Sequence, residues 1–121
     1  MPLTVINTAV PRTQHLTELL ILHLLSRRDG LTEWSLRKEI ERMSGGLWRP
    51  SWATVSKVSR QMLAEGYLEG RWLDPEGRRR RPMRITGKGR RRLEDLRREF
   101  KGVLLGGKRF LDDLCRELYG D

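Results

Sequence analysis

The stretch from Pro50 to Arg92 narrows the folds open to this chain more than any other. Ser51 stands where a side-chain oxygen can cap a helix, and Gly66 stands where a left-handed residue can end one. Between them Val55, Val58, Ser59 and Met62 recur at helical period. A strand is expected from Tyr67 to Leu73, then a turn at Asp74-Pro75-Glu76-Gly77. The run Arg78-Arg79-Arg80-Arg81 leads into a second strand ending at Ile85, and Thr86 opens another helix. Helix, basic-tipped hairpin and helix in that order predict a winged helix-turn-helix, mainly α with a small β-hairpin wing and so α+β in class.

The face of the 51–65 helix opposite the apolar stripe carries Ala53, Lys57, Arg60 and Ala64, flanked by Ser56 and Gln61. It is small, polar and positive, with no carboxylate before Glu65. Small residues allow close approach to bases, while Lys, Arg, Ser and Gln donate to base edges and phosphates. Taken alone, the same face also suits solvent on an ordinary amphipathic helix. Charge distribution tips the balance. Arg71 to Arg98 holds twelve Arg or Lys against four Asp or Glu, and the other ninety-three residues hold thirteen against twelve. Nearly all of the +9 net charge therefore lies in less than a quarter of the chain. Trp72 and Leu73 before the arginine run, and Met83 and Ile85 after it, place the run on structure instead of on a solvated tail. An acidic backbone is the simplest partner for four adjacent arginines.

Three motifs in this stretch resemble the PadR family of winged-helix transcription regulators. Ser51-x-x-Thr54, Glu65-Gly66-Tyr67-Leu68 and Arg84-Ile85-Thr86-x-x-Gly89-Arg90 fall where that family has Ser-x-Gly-Thr, Glu-Gly-Leu-Ile and Arg-Ile-Thr-x-x-Gly-Arg. The chain departs from the pattern at Ala53, where the family has Gly, and at Ser56, where it has Tyr. The Gly-Tyr pair that opens the family's second helix is not evident near Gly30. The resemblance implies dimerisation through C-terminal helices and a response to small aromatic molecules.

The rest of the chain fits one small domain with an elaboration: an arm over 1–12, a winged-helix body over 13–86 and C-terminal helices over 87–121. The arm is short and apolar in places (Leu3, Val5, Ile6, Val10), and the sequence leaves open whether it is disordered or lies on another surface. Thr13 to Arg28 is expected to be a central helix, because Leu16, Leu19, Leu20, Ile21, Leu22, Leu24 and Leu25 cover most of its circumference. Thr32 caps the next helix, with Leu36, Ile40 and Met43 as its buried stripe and Trp34 packed at its first turn. Trp48 and Trp52 flank the following loop, either as a clasp on the core or as an aromatic pocket near a subunit interface.

Beyond Thr86, Leu93, Leu96, Phe100, Val103 and Leu104 step by three and four. Gly106-Gly107 is expected to break the helix, and Phe110, Leu111, Leu114, Cys115 and Leu118 form a second stripe. Two stripes after a complete winged helix have little core left to cover, so packing on a second copy is expected through Leu93, Leu96, Phe100, Phe110, Leu111, Leu114 and Leu118. The alternative is that both fold back on their own first helix. Cys115 is expected to be a buried, inert thiol.

No stretch is apolar for long enough to span a membrane, no signal peptide is visible, and one cysteine suits a reducing cytoplasm. His15 and His23 are eight residues apart without partner ligands, so no metal is expected. No catalytic constellation and no phosphate loop appear, so neither an enzyme nor a cofactor is expected.

The expected function is that of a homodimeric regulator of transcription, a repressor bound to an operator in double-stranded DNA, cytoplasmic and nucleoid-associated in a prokaryote or encoded by a virus or plasmid. Lys57 and Arg60 would reach bases or phosphates, with Ser51, Thr54, Ser56 and Gln61 as secondary contacts, and Arg78, Arg79, Arg80 and Arg81 would grip backbone or minor groove. Three rivals remain on sequence alone: a ribonucleoprotein winged helix, a plasmid or viral DNA partition or replication protein that binds repeated sites, and a protein-interaction winged helix.

Overall fold

The computed structural model describes residues 13–70 and 82–120. Four helices and a two-stranded hairpin follow in the order α1 (Thr13–Arg27), α2 (Glu33–Met43), α3 (Trp52–Glu65), β1 (Leu68–Gly70), β2 (Met83–Ile85) and α4 (Gly87–Tyr119).

Local chemistry accounts for most of the boundaries. Thr32, Ser51 and Thr86 all hold extended backbone, and each side-chain oxygen accepts the N–H three residues on, from Ser35, Thr54 and Gly89 respectively. Each cap satisfies one donor that the helix itself leaves without a partner. Gly66 ends α3 at φ +82°, with Tyr67 N–H donating to the Met62 carbonyl at 2.9 Å. The hairpin is antiparallel in the register Leu68↔Ile85, Glu69↔Arg84 and Gly70↔Met83. Side chains alternate across it, so Leu68, Met83 and Ile85 face the core while Arg84 pairs with Glu69 at 2.6 Å outside. Leu31, between α1 and α2, adds a bridge to Met83 on the far side of β2. The expected first strand is shorter at its start, and its end, the Asp74–Gly77 turn and Arg78–Arg81 lie outside the described residues.

α1 is the central element. It packs on α3, α4 and β2, and Ile21 and Leu22 are fully buried on it. α3 is held from two sides, by α1 and by α2. This widens its buried arc beyond the single stripe of Val55, Val58, Ser59 and Met62 to include Ser56. On α2, Leu36 and Ile40 are buried as expected, whereas Trp34 and Met43 are exposed. Trp34 lies beside Lys38, one turn on, whose ammonium stands 5.5 Å from the ring centroid.

α4 departs most from expectation. Gly106-Gly107 does not break it; the helix runs unbroken for 33 residues. A helical glycine costs only about 1 kcal/mol relative to alanine, and neither glycine adopts the left-handed conformation that ends a helix. The single stripe then divides by what faces it. Leu93, Leu96 and Phe100, expected at a subunit interface, are buried in the chain's own core, as the fold-back alternative required. Phe110, Leu111, Leu114 and Leu118 are exposed, and so is Cys115, against the expectation of a buried thiol. Nothing else in the described chain reaches that part of the helix.

Candidate nucleic-acid interface

The outward face of α3 presents Ala53, Lys57 and Arg60, all exposed. Neither Lys57 nor Arg60 pairs with an acidic group among the described residues, and in this they differ from much of the basic complement. Arg42 is held by Glu39, Arg49 by Glu41, Arg84 by Glu69, Arg92 by Glu18, Arg97 by Glu94 and Arg98 by Asp95. Charge on α3 is therefore open to an external anion.

The expected secondary contacts fall into different settings. The Ser51 hydroxyl accepts the Thr54 N–H at 3.1 Å and donates to the Thr54 hydroxyl at 2.8 Å, so both residues hold the helix start before they hold anything else. Gln61 is exposed, and its side-chain carbonyl accepts from Gln14 at 2.6 Å, which ties the α3 face to α1. Ser56 is buried between α3 and its neighbours, so its expected place on the outward face is corrected. Trp48 and Trp52, expected to form a clasp or an aromatic pocket, do not act together. Trp48 packs against the core, whereas Trp52 lines a hollow with Ala53, Ser56, Lys57, Arg60 and Gln61, without Trp48. The signal for Trp52 was its place in the first turn, next to Ala53.

Behind this face the hairpin and α4 are locked to the end of α3. The Thr86 hydroxyl donates to the Gly66 carbonyl at 2.6 Å, Thr86 N–H donates to the Tyr67 carbonyl, and Lys88 donates to the Glu65 carbonyl at 2.7 Å. Lys88 there also meets the negative end of the α3 dipole. Gly89 makes the junction possible, because a Cβ on it would overlap the Tyr67 carbonyl oxygen and stand 2.8 Å from Ile85 Cγ1. A half-buried ion pair, Arg92 to Glu18 at 2.9 Å, ties α4 to α1. Its hydrogen bonds to Glu18 hold the Arg92 guanidinium above its ordinary pKa. The angle between α3 and α4 is thus set by side-chain bonds as well as by apolar packing.

His15 and His23 are half-buried on α1, and among the described residues no three His, Cys, Asp or Glu gather into a metal site. No described helix is long and apolar enough to cross a membrane.

Residues 21–95 match the transcriptional regulator PadR-like family. No protein with a curated description matches the chain. Among solved structures, a transcriptional regulator from Clostridium thermocellum is 19% identical, with a TM-score of 0.70 over 84% of this chain and 95% of that one. A PadR-like transcriptional regulator from Bacillus cereus is 20% identical, with a TM-score of 0.63 over 84% and 96%. Bacillus subtilis PadR in complex with operator DNA is 18% identical, with a TM-score of 0.56 over 66% of this chain and 45% of that one. At these identities the structural likeness speaks for the fold, a winged helix.

Proposed function

The chain belongs to the PadR-like family of transcriptional regulators and is not an enzyme, and on that premise we propose that it is a homodimeric repressor that reads an operator through α3. The observation that carries the proposal is the α3 face itself. Lys57 and Arg60 are exposed, flanked by small side chains and without an acidic partner among the described residues, and the apolar side of the helix is held by α1 and α2. In this reading α3 lies in the major groove and Lys57 and Arg60 reach base edges or phosphates. Ser51, Thr54 and Gln61 add secondary contacts, and Arg78, Arg79, Arg80 and Arg81 supply charge on the backbone or minor groove. The Bacillus subtilis relative is bound to operator DNA, and double-stranded DNA is the partner proposed here. Occupying the operator would be the act of repression, on the nucleoid in the cytoplasm.

Self-association is proposed through the second half of α4. Phe110, Leu111, Leu114 and Leu118 form a stripe with no cover among the described residues, and an apolar stripe of that kind fits a second copy of itself. The winged-helix body then takes in α4 through Phe100, leaving the arm over 1–12 before it and residues 101–121 for the dimer. A small aromatic effector would act by favouring one spacing of the two α3 helices over another, since two half-sites are met only at one DNA turn, about 34 Å, or a multiple of it.

Binding titrations at several salt concentrations test the assignment. Arg79→Ala with Arg80→Ala should weaken operator and random DNA by similar factors. It should also lower the salt slope by about 0.9 for each phosphate that the variant no longer neutralises. Lys57→Ala or Arg60→Ala should cost about 1–3 kcal/mol on the preferred site and less on random DNA. Loss of sequence preference in the wing variant alone would make the wing the reader. Deleting residues from Gly107 onward should weaken self-association in sedimentation at micromolar concentration, and a monomeric full-length chain there would remove the dimer from the proposal.

A further inference from the structure

The hollow on the α3 face has a chemistry of its own. It has a volume of about 450 Å3 and is lined by the apolar side chains of Trp52 and Ala53 together with Ser56, Lys57, Arg60 and Gln61. Trp52 is 36% exposed, in the first turn of the helix. Apolar side chains at the start of a cationic face are out of place if that face only grips phosphates. Of the four bases, thymine alone carries a methyl group in the major groove, and its natural counterpart is an apolar side chain. Lys57 and Arg60 carry only donors and no carboxylate joins them, so the side-chain acceptors lining the hollow are the neutral oxygens of Ser56 and Gln61, and the Gln61 oxygen already accepts from Gln14.

We propose that Trp52 and Ala53 form a receptor for the 5-methyl group of one thymine in each half-site, so that Trp52 determines sequence preference beside the charged residues. The proposal rests on α3 being the reading helix. The methyl would slide against the indole face as α3 seats, and its burial removes apolar surface from water on both sides.

The test begins by enriching preferred sites from a pool of random duplexes with the full-length chain. Each thymine of the preferred site is then replaced singly by deoxyuridine, which lacks only the methyl. One position in each half-site should lose about fourfold in affinity, the equivalent of one buried methyl group. Trp52→Phe should keep that penalty, and Trp52→Ala should abolish it whatever its own affinity, because the comparison is made within each variant. If no deoxyuridine costs affinity while sequence preference persists, the methyl receptor is wrong and operator reading stands without it. An equal penalty in wild type and Trp52→Ala assigns the methyl to another residue and overturns the proposal. If the chain shows no preference among duplexes, operator reading fails and the proposal fails with it.

Discussion

The two halves of α4 carry the same sequence pattern and meet opposite fates. From Gly87 to Phe100 apolar residues step by three and four, and Leu93, Leu96 and Phe100 are buried against α1 and the rest of the core. From Lys101 to Gly120 they step by three and four again, and every residue is exposed. Periodicity therefore specifies that a helix has an apolar face, and only the neighbouring elements decide whether that face is already covered. The proximal half belongs to the fold of one chain. The distal half extends the same rigid rod with its stripe uncovered, which is the physical basis for assigning it to a second copy.

Truncating one leucine in each half should show the difference most strongly. Leu96 is fully buried, so Leu96→Ala should lose about 2–5 kcal/mol of stability in denaturant unfolding, the transfer of the side chain plus the cavity it leaves. Leu111 is 57% exposed, so Leu111→Ala should change the stability of the isolated chain by less than about 0.5 kcal/mol. Its effect should appear in sedimentation as weaker self-association. A Leu111→Ala variant that unfolds as readily as Leu96→Ala, without a change in association, would show that the distal stripe folds back on its own chain.

Glycines sharpen the same contrast. Gly89→Ala forces a methyl onto the Tyr67 backbone and should cost about 1–3 kcal/mol or more, because backbone yields less readily than a side chain. Gly106→Ala and Gly107→Ala place theirs in open space and should each stabilise the helix by up to about 1 kcal/mol. Thermal melts followed by circular dichroism would rank the three. Higher helicity with weaker self-association in the distal variants would mean that the glycines allow close approach of the partner helix.

The smallest difference should come from the ion pairs. Glu18→Gln leaves Arg92 half-buried without its carboxylate and should cost about 1–2 kcal/mol after allowing for its partial exposure. The distal pair of Lys108 and Asp112 stands 3.6 Å apart in solvent, and Asp112→Asn should change stability by less than about 0.5 kcal/mol. Chemical denaturation at low and high salt would separate the two, since salt screens only the exposed pair effectively.

Much of the fold was legible because its signals act over a few residues. Thr32, Ser51 and Thr86 cap the helices they were expected to cap, and Gly66 takes the left-handed position that closes α3. The 87–89 segment forms the first turn of α4. Each of these depends on bonds between residues at most a few places apart, so the chain specifies them before any packing exists. The positive, small-residue face of α3 was legible for the same reason: helical period alone puts Ala53, Lys57 and Arg60 together.

The order of elements, most of their ends and which face of each is apolar thus follow from local sequence. Tertiary structure decided how wide each buried arc is. Ser56 is buried because α3 is gripped by two helices, and Met43 is exposed because α2 is covered along a narrower arc. It decided the requirement for Gly89, whose missing side chain is needed only because Tyr67 lies against it, and the ion pair of Glu18 with Arg92 across seventy-four residues of sequence. It also decided that Trp52 borders the α3 face instead of clasping the core, and that a double glycine passes through a helix without ending it. Burial is a property of what packs against a residue. A periodic pattern records that a face is apolar, and it holds no record of how many neighbours that face will meet.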